Sequence, residues 1–345
     1  MVRFRVAGFV KTNRVLLAVQ VFVVAVLVLG LLLGSPEEAA PPTFSPDSGL
    51  TAVFERISPD SILHTVRFLA NQYTRRYASR GAAVSAAFIT TRLENLGIPV
   101  ERHDITVSET TVVAPLHVIS GEHRNPHDRR HDVVTNVLGD LSRSVPGKNS
   151  LIICAHYDSR GEEGSEVAPG ADDNASGVAV LLEAARVLVA CGIRPRVTLA
   201  FFGGEEDSLI GSTAFAGEML SAHLPLRGVI NVDMVGYDEY GPRDIVVFAN
   251  PQSIPLALEV IENARRTTDL TADTTIVSTG NSDHASFWRF GQTAISIWEG
   301  YDHNPYHLTT KDTPAVLTRE FLVEVTKLIV STAVHLGGTD PRDRR

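Results

Sequence analysis

Apolar positions along the chain fall into two periods. Ile62, Val66, Leu69 and Tyr73 share one helical stripe and predict a helix over residues 61–77. A second helical pattern covers 82–96 and stops at Gly97, which suits the left-handed position after a helix end. Beyond that point strands and helices alternate. Residues 133–138, 151–155, 197–202, 228–234, 245–249 and 293–298 predict strands. Residues 177–190, 208–220, 254–266 and 319–336 predict helices, with Ser176 placed to cap the first of them. The run 197–202 is apolar without a break, as a strand covered on both faces should be. This order predicts an α/β fold, a three-layer sandwich with a mixed, mostly parallel central sheet and helices on both faces.

One segment stands apart. Residues 15–34 are apolar except Gln20. A helix of that length spans about 30 Å, the thickness of a bilayer core. Arg3, Arg5, Lys11 and Arg14 precede it, and Glu37 and Glu38 follow. The excess of positive charge predicts a cytoplasmic tail over 1–14, a transmembrane anchor over 15–34 and an extracytoplasmic remainder. The apolar stretch exceeds the roughly 7–15 residues of a signal peptide, so a single-pass membrane protein is expected; cleavage near Ala39-Ala40 would make it secreted instead. Pro36, Pro41, Pro42 and Pro46 mark 35–57 as a linker. The folded domain is expected over 58–337, with a disordered tail over 338–345.

Composition narrows the function. The 345 residues suffice for one large domain or two small ones. The net charge of -9 argues against nucleic acid, whose phosphates want a basic face. With only Cys154 and Cys191, neither a disulfide framework nor a cysteine-based zinc site can be built. Buried free thiols are expected, with a single bridge left open for an oxidising compartment.

Oxygen and imidazole donors stand where the apolar strands stop. His156-Tyr157-Asp158 follows 151–155, Gly203-Gly204-Glu205-Glu206-Asp207 follows 197–202, and Asp233 follows 228–232. Asp172-Asp173-Asn174 lies just ahead of the helix at Gly177, and His303 and His307 follow the strand ending at Trp298. Each alone reads as a surface or capping residue, as Glu162-Glu163 does. Together they occupy the carboxyl edge of one sheet, where α/β folds bind ligands. Clustered carboxylates repel one another, and divalent cations relieve that repulsion. Histidines and carboxylates without thiolate suit zinc, with cobalt or manganese as alternatives. A pair of ions needs a bridging carboxylate, from Asp172 or Asp173, and could then polarise a carbonyl between them. Adjacent Glu205 and Glu206 could divide the roles of base and ligand. His123, His127 and His131 recur every four residues, but Pro126 and the surrounding charges predict a solvated loop. Consecutive Ser282, Asp283 and His284 cannot form a triad with one another. Asn174-Ala175-Ser176 matches a glycosylation sequon but lies inside the loop of acidic residues, and is read as coincidence.

At these residues the chain resembles the zinc aminopeptidases of metallopeptidase family twenty-eight, clan MH, of the bacterial leucyl aminopeptidase type. The matching segments are Ala155-His156-Tyr157-Asp158-Ser159, Pro169-Gly170-Ala171-Asp172-Asp173-Asn174-Ala175-Ser176-Gly177 and Phe202-Gly203-Gly204-Glu205-Glu206. They continue with Asn231-Val232-Asp233-Met234, Ser282-Asp283-His284-Ala285-Ser286-Phe287, and Asn304-Pro305-Tyr306-His307 with Asp312-Thr313. The resemblance implies the zinc exopeptidase fold over roughly 58–336 and two zinc ions. His156 and Asp233 would hold one ion, Glu206 and His307 the other. Asp172 would bridge them through a carboxylate next to a cis peptide with Asp173. Glu205 would be the general base and Asp158 would orient His156, with Asp173, Asp283 and His284 supporting. The family spacing has one more residue before the last ligand, so Leu308 falls at the counted position; His307 is the expected ligand and His303 the fallback. The implied activity is a membrane-anchored aminopeptidase that removes N-terminal residues from peptides with a free amino terminus, by a metal-bridging hydroxide with Glu205 as base. A glutaminyl cyclase-like acyltransferase or a carboxypeptidase on the same fold is the alternative.

Overall fold

The computed structural model describes residues 48–107, 133–142, 151–223, 226–239, 241, 243–300 and 304–338. The expected cytoplasmic tail and anchor, His303, and the histidines at 123, 127 and 131 lie outside the described residues. Among those described, no helix is long and apolar enough to cross a membrane.

Three helices precede the sheet. The first, α1 (Ser48–Phe54), falls in the stretch read as linker. Its Leu50 and Val53, with Ile57 beyond it, repeat at helical spacing and are buried in the main core, so the folded part starts ahead of residue 58. Helix α2 (Pro59–Ala70) is capped by Ser58, whose side chain accepts from Ser61 N at 3.2 Å, and it buries Ile62, Val66 and Leu69. It ends at Ala70, with Asn71 as its C-cap, rather than at 77. Tyr73 adopts a left-handed φ of 58° and is exposed, so the chain leaves the helix there and turns Arg75 inward. Helix α3 (Arg80–Asn95) is capped by Ser79.

In chain order the remaining elements are β1 (Val100–Thr106), β2 (Val133–Asp140), β3 (Leu151–His156), α4 (Gly177–Ala190), β4 (Val197–Phe202), α5 (Ile210–Ser221), β5 (Gly228–Val232), β6 (Asp244–Ala249), α6 (Ile254–Thr267), β7 (Thr271–Ile276), α7 (His284–Arg289), β8 (Ala294–Glu299) and α8 (Arg319–Gly337). The sheet order is β1-β2-β4-β3-β5-β8-β6-β7. Its centre, β4-β3-β5-β8, is parallel throughout. Strands β2 and β6 flank that centre in antiparallel pairings, β1 adds antiparallel to β2, and β7 runs parallel to β6.

Every residue of β3, β4 and β5 is buried. Alternate side chains divide between two apolar layers. Ile153, Leu199, Phe201, Ile230 and Val232 face the core made with α2, α3, α4, α6 and α8. Ile152, Cys154, Ala200, Phe202 and Val229 face Phe215 and Met219 of α5 and Phe287 of α7. The three-layer sandwich follows from this alternation. Cys154 is buried, Cys191 is half-buried, and both thiols are free. Pairing His156 with Phe202, and Cys154 with Asn231, brings the carboxyl ends of β3, β4 and β5 level.

Candidate metal centre

His156 is the last residue of β3, and Asp233 follows the last residue of β5. Between them comes Asp173, from the turn that leads into α4. The His156 Nε2 lies 3.2 Å from Asp173 Oδ1 and 3.3 Å from Asp233 Oδ1. Among the described residues these three form the one group of histidine, cysteine and carboxylate ligand atoms all within 4.8 Å of one another, and all three are buried. Asp233 Oδ1 and Glu206 Oε1 are buried without a hydrogen-bond partner. Buried polar atoms are nearly always satisfied, and a nitrogen and oxygen donor set with such orphans fits a divalent cation.

The backbone around the three is held by side chains. Asp158 accepts from Glu205 N at 3.1 Å and Glu206 N at 3.2 Å, while its Oδ1 stands 3.5 Å from His156 Nδ1. One buried carboxylate therefore stands against the imidazole and also fixes the turn that carries both glutamates. Ser282 donates to Asp233 Oδ2 at 2.5 Å and itself accepts from Asn231 at 2.8 Å. In the acidic turn, Asn174 donates to Val232 O at 2.9 Å and accepts from Gly177 N at 3.0 Å. Asn174, rather than Ser176, satisfies the start of α4; the Ser176 hydroxyl donates back to Asp172 O. A Cβ at residue 177 would meet Val232 O at 2.5 Å, so only glycine allows this approach. Asn174 is buried and bonded at both ends of its amide, which agrees with reading the sequon as coincidence.

Two expected ligands stand elsewhere. Asp172 does not face His156. Its Oδ1 accepts from Gly236 N at 2.8 Å and its Oδ2 from Asn304 Nδ2 at 3.1 Å. Asp312 accepts from the backbone N–H of both Asp172 and Asp173, which sets the register of the turn and leaves the Asp173 carboxylate facing His156. Of the two aspartates it is therefore Asp173, not Asp172, whose carboxylate reaches His156, and the cis peptide lies between Asp173 and Asn174 rather than one bond earlier. His307 is exposed and takes no part in the ligand group. Its loop is pinned by Tyr306 N on Asn304 Oδ1 and by Thr310 N on Glu162 Oε2, with Leu308 at a φ of 57°. That turn leaves the His307 ring in solvent. Glu162, read as plain surface, is thus a tie on this loop.

The electrostatics are those of crowded, buried acids. Burial pushes Glu205 well above the usual carboxylate range; His156 opposes this, while Glu206 and Asp283 add to it. Glu206 is raised likewise, by burial and then by Asp173. Burial also raises Asp233, but His156 and the Ser282 hydroxyl outweigh it and hold the group below its ordinary value. His156 is itself held well above the imidazole range: burial lowers it, but Glu205 and Asp233 prevail. Asp283 is pushed by burial to about 7, with His156 and the Ser212 hydroxyl opposing. Burial lowers His284 to about 4, and its ring stands edge-on to Trp288 at 4.6 Å.

Sequence reasoning missed Glu299 and Arg75 as parts of the site, and gave Asn304 and Asp312, though in the matching segments, no role. Glu299 ends β8 and accepts from Tyr237 N and Asn304 N. A carboxylate at the end of an apolar strand was a usable signal, since the same pattern marked Glu205 and Asp233.

These shifts predict how the cation-free protein responds to pH. Asp312, raised to about 8 by burial and then by Asp172, and Asp283, raised to about 7, both bind protons more tightly folded than unfolded. Their contribution to stability is fully present below about pH 4 and is lost as pH rises through 7 to 8. Chelated protein should therefore lose Tm between pH 5 and 8 in thermal unfolding, and added divalent cation should restore more of it at pH 8 than at pH 5. A Tm gain from the cation that does not grow with pH would contradict this electrostatic picture.

Residues 136–333 match the profile of peptidase family M28. A "Probable zinc metalloprotease" of Pyrenophora teres f. teres (strain 0-1) is 31% identical over 243 residues, 65% of this chain and 48% of that protein. A "Probable leucine aminopeptidase" of Arthroderma otae (strain ATCC MYA-4605 / CBS 113480) is 32% identical over 204 residues, 56% of each. The chain thus spans about half the length of these curated relatives. Among solved structures, LapB from Legionella pneumophila superposes with a TM-score of 0.67 at 22% identity, covering 87% of this chain and 77% of that one. A Bacteroides thetaiotaomicron glutaminyl cyclase bound to N-acetylhistamine superposes with 0.63 at 18% identity, covering 81% and 98%. At such identities the superpositions speak for the fold alone. The family match spans more than half of the sequence and contains the whole carboxyl-edge cluster, and this chain belongs to peptidase family M28.

Proposed function

We propose that this protein is a zinc aminopeptidase, cleaving the first residue from peptides with a free amino terminus. The observation that carries the reading is the buried group of His156, Asp173 and Asp233 with Glu205 beside it. The names of the fungal relatives support zinc and aminopeptidase chemistry. Zinc held by His156, Asp173 and Asp233 would supply Lewis-acid polarisation of the scissile carbonyl. Glu205 takes the proton of the attacking water and returns it to the leaving amine, a task helped by a carboxyl whose proton affinity burial has raised. Asp158 keeps the His156 ring and the Glu205 backbone in fixed relation. The surrounding carboxylates of Glu206, Asp173 and Asp233 favour a substrate's free ammonium group, which is what an exopeptidase must recognise.

The finer reading has two zinc ions, the second of which Asp173, Glu206 and His307 would hold. For that, the His307 loop would have to turn inward. His307→Ala should therefore keep the ion at His156 and lose at most the second, whereas His156→Ala should lose both; mass-spectrometric zinc counting on the two variants checks this. Equal loss from both variants would return His307 to the first ion. We also read residues 15–34 as an anchor that holds the domain outside the cytoplasm, from charge and apolar length alone.

The deciding experiment is hydrolysis of aminoacyl-p-nitroanilides before and after chelation, with N-acetylated controls and with glutaminyl peptides. Chelator-sensitive cleavage of free-amine substrates alone supports the reading. Cyclisation of glutaminyl peptides without hydrolysis would replace it with acyltransferase chemistry.

A further inference from the structure

Arg75 is the largest fully buried side chain among the described residues, and its exposure is 0%. An arginine so buried ordinarily meets a carboxylate. Here every hydrogen bond of the guanidinium goes to a main-chain carbonyl. Nε donates to Tyr157 O at 2.7 Å, Nη1 to Leu69 O at 3.1 Å and Pro169 O at 2.5 Å, and Nη2 to Gly170 O at 2.8 Å. Its own backbone N–H donates to the Ser159 hydroxyl, which in turn donates to Ala168 O.

These acceptors are not a random sample of the interior. Tyr157 lies between His156 and Asp158. Pro169 and Gly170 open the turn that carries Asp173 three residues later. The two segments are the opposite ends of the connection between β3 and the acidic turn, and the planar fork of one guanidinium from a distant part of the chain joins them at fixed spacing. The fit is close: a Cβ at Gly170, itself at a φ of 51°, would stand 2.8 Å from Nη2 and 2.6 Å from the Ser159 Cβ. Lysine, a point donor on a flexible stem, cannot span the same four carbonyls.

We propose that Arg75 is a positioning residue for the reaction centre, a buried fork that sets the distance between the segment bearing His156 and Asp158 and the turn bearing Asp173. The proposal rests on the metal centre put forward above. Asp312, Asp158, Asp173 and Glu206 all favour the charged guanidinium, and although burial lowers it to about 10 it stays charged at neutral pH. Outer residues of this kind typically change metal affinity by about 10–100-fold, and a misplacement of about 1 Å costs on the order of 10²-fold in rate.

The test uses the full chain with Arg75→Lys and Arg75→Ala. Zinc affinity is read by competition with a fluorescent chelator, kcat and KM on an aminoacyl-p-nitroanilide, and folding by thermal unfolding of the chelated protein. Arg75→Lys retains charge and most volume, so it guards against simple misfolding. The expected result is that both variants fold and bind zinc about 10–100-fold more weakly. Their kcat falls about 10²-fold with KM near the wild-type value. Millimolar methylguanidinium should restore zinc affinity to Arg75→Ala but not to Arg75→Lys, whose stem fills the space. Wild-type affinity and kcat in Arg75→Lys would overturn the proposal, as would losses in Arg75→Ala that track its melting temperature and resist rescue. Wild-type protein that binds no zinc would instead overturn the metal centre itself.

Discussion

Glu205→Gln is expected to keep its zinc and lose about 10²–10⁴-fold in kcat, the range that a positioned general base contributes. The glutamine preserves shape and the backbone bond from residue 205 to Asp158, which involves the main-chain N–H alone. The group of His156, Asp173 and Asp233 does not contain residue 205, so the ligand geometry stays intact. What disappears is an acceptor able to take a proton and give it back. The effect belongs in kcat rather than KM, because an amide and a carboxylate of the same size leave the substrate path alike. Metal content by mass spectrometry, set beside kcat for the same preparation, checks both halves. A variant with full zinc and wild-type kcat would remove Glu205 from the mechanism. A variant that has lost its zinc would make Glu205 a ligand instead.

The second large effect separates two neighbouring aspartates. Asp173→Asn should abolish tight zinc binding, because it replaces an anionic oxygen 3.2 Å from His156 Nε2 by a neutral amide in a buried group. Asp172→Asn should weaken binding by only about 10–100-fold, the scale of a supporting residue. Asp172 accepts from Gly236 N on one oxygen and from Asn304 Nδ2 on the other; asparagine offers one acceptor oxygen, so its NH2 group must face one of these donors and that bond is lost. Chelator competition on the two purified variants gives the ratio directly. Comparable losses, or a larger loss for Asp172→Asn, would reverse the assignment of the two residues.

The pair Asp172-Asp173 looks symmetric in the chain, since both are acidic residues ahead of a helix. What distinguishes them is Asp312, some 140 residues away, which accepts from both their N–H groups and fixes which side chain turns toward His156. The same holds for Arg75 and Arg76. In the sequence they are one basic pair after a helix; in the fold the first is wholly buried on four carbonyls, and the second lies at the surface 3.0 Å from Asp207. His307 matched a ligand by residue type and approximate place, yet the turn geometry of its loop leaves it exposed. Strands β1 and β7 left no apolar signature either, because each is an edge strand with mostly exposed or half-buried side chains.

Local periodicity by itself determined the α/β alternation, the buried central strands, and the gathering of His156, Glu205, Glu206 and Asp233 at strand ends. Those features depend on which residues neighbour one another within a few positions, where burial and backbone hydrogen bonding act directly on the sequence pattern. Only the tertiary structure decided which of two adjacent aspartates faces the imidazole, which arginine goes inside, and whether the last histidine reaches the centre. Each of those choices hangs on hydrogen bonds between segments some 80 to 140 residues apart, such as Arg75 to Tyr157 and Asp172 to Asp312, and no short-range pattern encodes the direction in which a side chain leaves a loop.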